Sequence, residues 1–312
     1  MQWRRRVVDG GLTAAMALAI AAGLTRWIDL DWVPVVFIQS AMKVVAAVIV
    51  ALTALAVALR RRRIAVVGLV ASLVVGAMVV PAFLNHTVAP GPEDLIIVSS
   101  NVELGMADPV ALLAQVRAWH TDILILLEVT QPEEQALLAK GLGADLPYHV
   151  GRALPGAAGV IVRSRYPLTK LPAPIRALYP QLQPVARVDA PTGSFIIRAV
   201  HPPAPIPELI DAWHDELAAL GEWQRQQDGP LIMAGDFNAA TGHPAYRKAV
   251  DGLVETHRQA GVVFQRTWPQ KARIPAFTQI DHIVVRGFEV VDAGSFVVVG
   301  SDHAAVWARV RL

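Results

Sequence analysis

The chain has 312 residues, of which 54% are hydrophobic, and its mean hydropathy is +0.42. This composition is too apolar for an ordinary soluble enzyme, while the length allows one or two domains with a sizeable core. The sequence contains no cysteine, which excludes disulfide bonds and thiolate metal sites.

The formal charge of +2 combines two parts of opposite sign. Residues 1–93 carry 9 Lys and Arg against 4 Asp and Glu, a net charge of +5, and residues 94–312 carry 19 against 22, a net charge of −3. Nonspecific binding to nucleic acid depends on basic residues that neutralise phosphates. The bulk charge of the C-terminal part gives no support for that kind of partner, although a local basic patch stays open.

Three apolar segments follow one another in the first ninety residues, at about 7–25, 35–59 and 64–84. Each reaches the roughly 20 residues that a helix needs to cross a bilayer, so the sequence predicts three transmembrane helices. A cleaved signal peptide is the alternative interpretation of the first segment. Lys43 lies inside the second segment and is interpreted as snorkelling or as lying near a helix start, rather than as a functional charge.

Two arginine clusters predict the orientation of these helices. Residues 4–6 precede the first apolar segment, residues 60–63 separate the second from the third, and the connection between the first two segments, RWIDLDW, has one Arg and two Asp. The positive-inside rule places both clusters in the cytoplasm. The chain beyond Leu84 is therefore expected outside the cytoplasm.

A short linker rich in Pro and Gly, Asn85 to Leu95, separates two predicted regions. Residues 1–92 form the membrane anchor with its linker, and residues 93–312 form an extracytoplasmic domain. Helices are predicted from Asp108 with Pro109, from a capping box at Thr130 and Glu133, and over PELIDAWHDELAALGEWQRQQ. The alternation of helices with short β-rich runs favours two packed sheets flanked by helices. The runs are LIIVSSNV, ILILLE, GVIVRS, SFIIRAVH, LIMAGDF, QIDHIVV, SFVVVG and AVWARVRL.

Polar residues are concentrated at the predicted strand ends. Each of them alone has an ordinary interpretation, such as the Asx-turn that GDFN would form after a strand. Together they supply what phosphoester hydrolysis needs, which is a site for a divalent cation, an activated water and donors for the charge of the transition state. They are Asn101, Glu128, His201, Asp236, Asn238, Asp281, Asp302 and His303.

The chemistry of each residue type suggests its part. Glu128 is a hard carboxylate suited to Mg²⁺. Asp236 can orient or deprotonate the attacking water, and Asn238, two residues further, can contact the phosphate or hold Asp236. His201 and His303 can donate to phosphoryl oxygens when they are protonated. Asp281 can raise the pKa of His303 by pairing with it. Asp302 can bind a metal or orient a neighbouring group.

The order N…E…H…GDFN…D…SDH resembles the endonuclease/exonuclease/phosphatase superfamily, which has the DNase I-like fold. GVIVRSRYP, Gly159 to Pro167, also resembles the family's strand after the glutamate. The resemblance covers residues 94–312. It implies an α/β fold, a four-layered α/β sandwich with two packed mixed β-sheets flanked by helices. It also implies an enzyme that hydrolyses phosphoesters by direct water attack with Mg²⁺, or with Mn²⁺.

The resemblance assigns roles position by position. Asn101 and Glu128 match metal-side positions, and His201 matches the histidine that contacts the phosphate. Asp302, a further candidate metal ligand, matches the aspartate just before the last histidine of the motif. Asp236 and Asn238 match the pair that orients the water, and Asp281 and His303 match the Asp–His pair. The sequence departs from the pattern at Leu127, where Gln is frequent, and at His282, where an aromatic or apolar residue is common. His282 is interpreted as structural, because it points away from Asp281 on a regular strand.

The loop VFQRTWPQKARIPAF, Val263 to Phe277, is a candidate substrate-binding segment. Arg266 and Trp268 are the candidate substrate-binding residues, because cations suit a phosphate and aromatic rings suit an acyl or isoprenoid chain. The alternative is an ordinary loop in which Trp268 packs on the sandwich.

The arrangement as a whole resembles bacterial membrane-anchored members linked to teicoplanin resistance. This likeness implies a multi-pass protein of the bacterial cytoplasmic membrane that acts on a phosphorylated lipid such as undecaprenyl pyrophosphate, with the bilayer as partner and no obligate protein partner. A membrane-tethered extracytoplasmic nuclease that cleaves DNA or RNA is the alternative. A non-catalytic sensor or binding module is a third interpretation.

Overall fold

The structure is a computed structural model that describes residues 2–83, 88–173, 182–271 and 273–312. Four helices precede the first strand. Leu84, the end of the third predicted span, and residues 85–87, the beginning of the predicted linker, lie outside the described residues. The helices are α1 (Gln2–Leu24), extended by a 3₁₀ turn (Thr25–Trp27), α2 (Val33–Ser40), α3 (Met42–Ala58) and α4 (Arg62–Phe83).

The described residues support the prediction of three transmembrane helices only in part. Within the described residues, one helix, Arg5–Trp27, is long and apolar enough to cross a membrane, and only 11% of an apolar 18-residue stretch in it is buried. The second predicted span is broken, because α2 and α3 meet at an angle of 69° around Ala41. The count rises to two if this bent pair is one span.

The described part of the chain after these helices contains two six-stranded sheets. The first has the strand order β11-β12-β1-β2-β4-β3 and the second has the order β5-β6-β7-β8-β10-β9. Both are mixed, since β1 with β2 and β7 with β8 are parallel and the other pairs are antiparallel. The strands are β1 (Leu95–Asn101), β2 (Ile123–Leu127), β3 (Tyr148–Arg152), β4 (Val160–Ser164), β5 (Leu168–Leu171), β6 (Val185–Ala190), β7 (Gly193–Val200), β8 (Leu231–Asp236), β9 (Val254–Glu255), β10 (Asp281–Arg286), β11 (Glu289–Val297) and β12 (Ala304–Arg311).

The core of the sandwich follows from the two-residue period of the strands. In β1, Leu95 and Ile97 point into the cluster between the sheets, while Ile96 and Val98 point into a second cluster beneath helices. A strand whose neighbouring residues face opposite sides has to be apolar on both when both sides are covered. This explains why β1 reads as a continuous apolar run and not as an alternating one.

Helices cover the outer face of each sheet, which completes the four layers expected for the fold. On the first sheet, Leu112 and Leu137 pack in the outer cluster, and on the second sheet Trp213, Leu217 and Tyr246 do so. The helices after β1 are α5 (Pro109–Ala118), α6 (Gln131–Ala139), α7 (Leu142–Asp145), α8 (Ile210–Arg225), α9 (Pro244–Ala249) and α10 (Thr256–Gln259).

The predicted capping signals had different outcomes. Asp108 caps α5, because its side chain accepts hydrogen bonds from the amides of Val110 and Ala111. The predicted capping box at Thr130 is wrong, since that side chain makes no capping hydrogen bond. The strands without a sequence signal, β3, β5, β6 and β9, include short or partly exposed ones, so they lack a continuous apolar run.

Candidate active site

Six strand ends meet at one edge of the sandwich. Parallel strands contribute residues at or just after their C-terminal ends, and the antiparallel strands β10 and β12 contribute residues at or just before their N-terminal ends. Both ends lie on the same edge because neighbouring strands run in opposite directions. Six of the eight residues that the sequence predicted for the site lie at these strand ends, and Asn238 and Asp302 lie close to them in the chain. The six are Asn101, Glu128, His201, Asp236, Asp281 and His303.

Asn101 joins the two sheets. Its Nδ2 donates to Glu128 Oε1 at 3.0 Å and to Asp236 Oδ2 at 3.2 Å, and its Oδ1 accepts from the Glu103 amide at 2.9 Å. The backbone bond fixes which side of the amide faces the carboxylates, because an N–H can only donate. Asn101 therefore bridges two carboxylates as a donor in this arrangement.

Glu128 lies beside His201. The distance from His201 Nε2 to Glu128 Oε1 is 3.6 Å, and Glu128 Oε2 accepts from the Leu104 amide at 3.1 Å. Burial by itself raises the pKa of Glu128, but the hydrogen bond and charge of His201, with the Asn101 amide, bring it to about 2. Glu128 is therefore a carboxylate throughout the physiological range.

Asp236 ends β8, and a hydrogen bond from the turn that follows holds its side chain. Its Oδ1 accepts from the Asn238 amide at 2.7 Å, while Asn238 Nδ2 donates to the carbonyl of Pro202 at 3.0 Å. Burial, followed by the negative charge of Asp281, raises the pKa of Asp236 to about 6. Asp236 is thus an oriented, buried carboxylate that holds a proton more readily than a surface aspartate, as a general base requires.

Asp281 and His303 form the predicted pair. His303 Nδ1 lies 2.9 Å from Asp281 Oδ2, and His303 Nε2 lies 3.7 Å from Asp236 Oδ2. Burial lowers the pKa of His303, but the charges of Asp281 and Asp236 outweigh it and raise the pKa to about 10. The imidazole is therefore protonated at neutral pH, and it lies between two carboxylates.

Asp302 is held by the candidate substrate loop. Trp268 Nε1 donates to Asp302 Oδ2 at 3.1 Å, and Asp302 Oδ1 lies 3.9 Å from His303 Nε2. Trp268 therefore contacts the site directly. Arg266 has an exposed side chain, and its backbone carbonyl accepts a hydrogen bond from Gln270 Nε2 at 3.5 Å.

Left-handed backbone is concentrated around these residues. Glu103, Leu104, Glu128 and Asn238 have φ values of 46°, 57°, 58° and 48° without being glycine. Such a conformation costs on the order of 1 kcal/mol or more for an ordinary residue and is found where the surroundings over-determine it. At Glu128 and Asn238 it turns the chain sharply just after a strand, so that the side chain stays at the sheet edge.

The donor set fits a hydrated divalent cation at Glu128. The site has four carboxyl groups and one protonated histidine, His303, so its net charge is negative. The side chains of Glu128 and Asp302 are 17% and 30% exposed. Mg²⁺ retains several waters, so it needs a carboxylate that water can also reach. Asp236, Asp281 and His303 also offer ligand atoms within 4.8 Å of one another, but the 2.9 Å contact of His303 with Asp281 fits a charged hydrogen bond.

Two supporting residues, Ser301 and Lys271, were not predicted from the sequence. Ser301 Oγ donates to the Asn101 carbonyl at 2.7 Å and accepts from the His303 amide at 3.0 Å, which ties β1 to the turn before β12. Lys271 Nζ lies 2.6 Å from Glu103 Oε2 and links the loop before β10 to the loop after β1. Ser301 could have been found from the sequence because it is the first residue of the SDH motif, whereas no sequence pattern indicates the contact of Lys271.

Metal-assisted hydrolysis of phosphate esters is the chemistry that this fold and these side chains suit. The sequence model of the Endonuclease/Exonuclease/phosphatase family matches residues 98–303, which is more than half of the chain. The chain belongs to this family.

A curated relative is the "UPF0294 protein" of Erwinia tasmaniensis, which is 32% identical over 94 residues. The alignment covers 30% of this chain and 33% of the relative, so the chain spans about a third of the length of that protein.

Three solved structures share the fold. The endonuclease/exonuclease/phosphatase from Beutenbergia cavernae is 23% identical with a TM-score of 0.54, over 70% of this chain and 72% of that one. D. rerio TDP2 complexed with single-strand DNA product is 16% identical with a TM-score of 0.57, over 70% and 99%. A beta toxin mutant from Staphylococcus aureus with bound magnesium ions is 14% identical with a TM-score of 0.50, over 69% and 99%.

Proposed function

We propose that the protein hydrolyses phosphate or pyrophosphate esters carried by lipids, such as undecaprenyl pyrophosphate, at the outer face of a bacterial cytoplasmic membrane. The observation that carries this proposal is a single loop, residues 263–277, which contacts the N-terminal helices near both of its ends and contacts the site through Trp268 between them. The residues of this loop are described except for residue 272.

The loop packs on the ends of the apolar helices. The ring of Phe264 lies 6.0 Å from that of Phe83 at the end of α4, and the ring of Phe277 lies 6.0 Å from that of Phe37 in α2. Lys43, at the start of α3, donates from Nζ to the Gln265 carbonyl at 2.6 Å. These contacts support a short path between a membrane surface and the enzyme.

Apolar side chains of the loop face solvent where it meets these helices. Phe264 is 68% exposed and Ile274 is 56% exposed, although burying such side chains is worth roughly 1.5–3 kcal/mol each. Trp27 and Trp32, near the ends of α1 and α2, are also exposed. Aromatic residues of this kind are typical of the boundary between bilayer and water, which supports a lipid surface as the partner.

The proposed mechanism follows the geometry of the site. Asp236 accepts a proton from the water whose oxygen attacks phosphorus, and the backbone amide of Asn238 holds Asp236 in place. As the new bond forms, the bond from phosphorus to the leaving oxygen breaks, and that oxygen departs as the alcohol or the phosphate after it takes up a proton from solvent. His303, kept protonated by Asp281, and His201 donate hydrogen bonds to the phosphoryl oxygens. Glu128, with Asn101 and Asp302 nearby, would hold a divalent cation, which would neutralise part of the phosphate charge.

The proposed orientation keeps the N-terminus in the cytoplasm and the catalytic domain outside. It rests on the arginine clusters and on the apolar helix Arg5–Trp27. A multi-pass anchor is part of this proposal, with the bent pair α2–α3 and α4 completing it.

The test uses the full chain, reconstituted in vesicles with Mg²⁺. Undecaprenyl pyrophosphate in the vesicle membrane and plasmid DNA in solution are offered separately, and released phosphate and nicked DNA are measured. Phosphate release that stops with chelator and returns with Mg²⁺ is the expected result. Nicking of DNA without phosphate release contradicts the proposal.

A pair of loop variants sharpens the experiment. Phe264→Ser is expected to slow turnover of the vesicle-borne lipid about tenfold while leaving turnover of a short-chain soluble analogue unchanged. Leu138→Ser, at an apolar residue of α6 that is 41% exposed, serves as the matched control. Equal rates for Phe264→Ser and Leu138→Ser on the lipid would argue against a membrane role for the loop.

A nuclease is the second candidate. The structure of D. rerio TDP2 in complex with a single-strand DNA product favours it, because that protein shares the fold. The net charge of −3 over residues 94–312 gives no electrostatic support for nucleic acid. Nicking of plasmid DNA in the experiment above is the outcome that selects this candidate.

A further inference from the structure

The loop that follows GDFN is hydrogen-bonded to helix α2 through His243, at the C-terminal end of the loop. β8 ends at Asp236, and the chain then runs through Asn238 to His243, where α9 begins. His243 is fully buried, and its Nδ1 accepts from the Ala240 amide at 2.7 Å. Because a backbone N–H can only donate, Nδ1 carries no proton.

The other nitrogen of His243 points at α2. Its Nε2 lies 2.9 Å from the Val36 carbonyl and 3.2 Å from Ser40 Oγ. Burial lowers the pKa of His243 to about 4, so the ring is neutral and its single proton is on Nε2. His243 therefore accepts from the catalytic loop on one side and donates to α2 on the other.

A close backbone approach reinforces this link. At Gly242 any Cβ would overlap the carbonyl of Gln39 in α2, although the φ of Gly242 is not in the left-handed region. Arg247 donates to the carbonyls of Thr241 and Gly242 at 3.0 and 2.8 Å, and Arg26 donates to that of Thr241 at 2.7 Å. Glycine is required here because of the neighbouring helix and not because of the turn.

The same contact region reaches Asn238. Trp213 Nε1 donates to the Asn238 carbonyl at 3.1 Å, and its ring meets the His243 ring edge-on at 5.3 Å. Val36 is 2% exposed and belongs to the apolar cluster that contains Trp213 and Phe237. Helix α2 thus forms part of the packing that supports the loop of Asp236 and Asn238.

We infer that α2 positions the catalytic loop and that His243 is the positioning residue, so that the N-terminal helices are part of the working enzyme and not only its tether. The inference concerns the hydrolase centre itself and holds whichever phosphate ester the site accepts.

The test compares variants of the full chain. His243→Asn keeps an acceptor for the Ala240 amide but is too short for α2, whereas His243→Gln reaches further and can donate to Val36. Gly242→Ala adds only the Cβ that α2 excludes. Lys248→Ala is the matched control, because Lys248 pairs with Asp29 at 2.6 Å and so joins the same two parts of the chain away from the loop.

Two measurements are made on each variant: hydrogen exchange of residues 237–243, and hydrolysis of bis(4-nitrophenyl) phosphate with Mg²⁺. His243→Asn and Gly242→Ala are expected to exchange faster in the loop and to lose about tenfold or more in kcat with little change in KM, since small misplacements of this kind are costly. His243→Gln should recover part of kcat, and Lys248→Ala should match the unaltered chain in both measurements.

Unchanged loop exchange in both His243→Asn and Gly242→Ala overturns the inference, whatever the hydrolysis rates are. The inference is also overturned if kcat falls only in proportion to the loss of folded protein and His243→Gln loses as much kcat as His243→Asn. The role of His243 is then structural only. Failure of the full chain to act on a lipid leaves these outcomes readable, because the exchange measurement needs no substrate.

Discussion

At the scale of single residues, the site is built from groups whose environments drive their pKa values in different directions. Burial and Asp281 raise the pKa of Asp236, while His201 and Asn101 outweigh burial at Glu128 and lower its pKa. Such divergence separates a group that accepts a proton from one that stays charged to hold a cation. The same residue types in an exposed acidic cluster would titrate together.

Asp236→Asn is expected to reduce turnover by roughly 10²-fold or more while the chain stays folded, because the amide has the same shape but cannot accept the proton of water. The hydrolysis rate with Mg²⁺ and the thermal midpoint measure the two effects. Asp215→Asn, at an exposed carboxylate of α8, is the control. Retention of more than about a tenth of the rate by Asp236→Asn would contradict the assigned role.

Glu133, in the first turn of α6, gives a pH-dependent prediction away from the site. Burial, followed by the charge of Asp108, raises the pKa of this carboxyl to about 7, and its Oε1 has no hydrogen-bond partner within the described residues. A raised pKa means that the folded chain holds the proton more tightly, so stability falls as pH rises from about 4.5 to 7.

Glu133→Gln removes this charge and is expected to stabilise the chain at pH 8 by about 1 kcal/mol, a figure reduced for residual solvent screening, and to have little effect at pH 4. Denaturant unfolding at the two pH values measures the difference. An equal change in the free energy of unfolding at both values would show that the charge of Glu133 is not the cause.

At the scale of elements, the strands determine where the chemistry lies. β8 approaches β7 so closely at Gly235 that a Cβ would overlap the Val200 carbonyl, and the φ of this glycine is 154°. This glycine precedes Asp236 and opens the GDFN motif. Its role is to let the end of β8 lie against β7, which brings His201 to the same edge as Asp236.

Gly235→Ala is expected to destabilise the chain by about 3 kcal/mol or more, because it adds a steric overlap with backbone to an unfavourable φ. Gly229→Ala is the matched control, since its φ is 77° but nothing lies near the added Cβ, so it should cost only about 1–2 kcal/mol. Chemical denaturation gives both values. Equal costs for the two variants would mean that the approach of β7 and β8 is not what requires glycine.

At the scale of the whole molecule, the N-terminal helices and the sandwich are joined by specific contacts and not by the linker alone. Lys43, Phe37 and Phe83 contact the loop before β10, and α2 contacts the loop after β8. Both loops carry groups of the site. The orientation of the helices in a membrane therefore also decides which side of it the site faces.

A C-terminal alkaline-phosphatase fusion is expected to be active, and a C-terminal reporter that works only in the cytoplasm is expected to be silent, because the positive-inside rule retains both arginine clusters in the cytoplasm. Enzymatic activity of the two fusions in whole cells is the measurement. The reverse pattern would overturn the proposed orientation and, with it, the proposed access to lipids of the outer leaflet.

The sequence by itself determined the family, the positions of the main strands along the chain and the residues gathered at the sheet edge. It could do so because buried strands carry continuous apolar runs and because GDFN and SDH stand where those runs stop. It did not determine β3 or β5, whose residues are partly exposed and carry no such pattern.

Only the tertiary structure decided how α2 and α3 bend apart, that Trp268 holds Asp302, and that His243 and Gly242 belong to the contact with α2. Each depends on segments far apart in the chain, and the type of a residue does not reveal which distant backbone it will meet. In LIMAGDFNAATGHP, the local pattern predicted the chemistry of Asp236 and Asn238. The contacts of Gly242 and His243 with α2 became evident only from the packing of that helix.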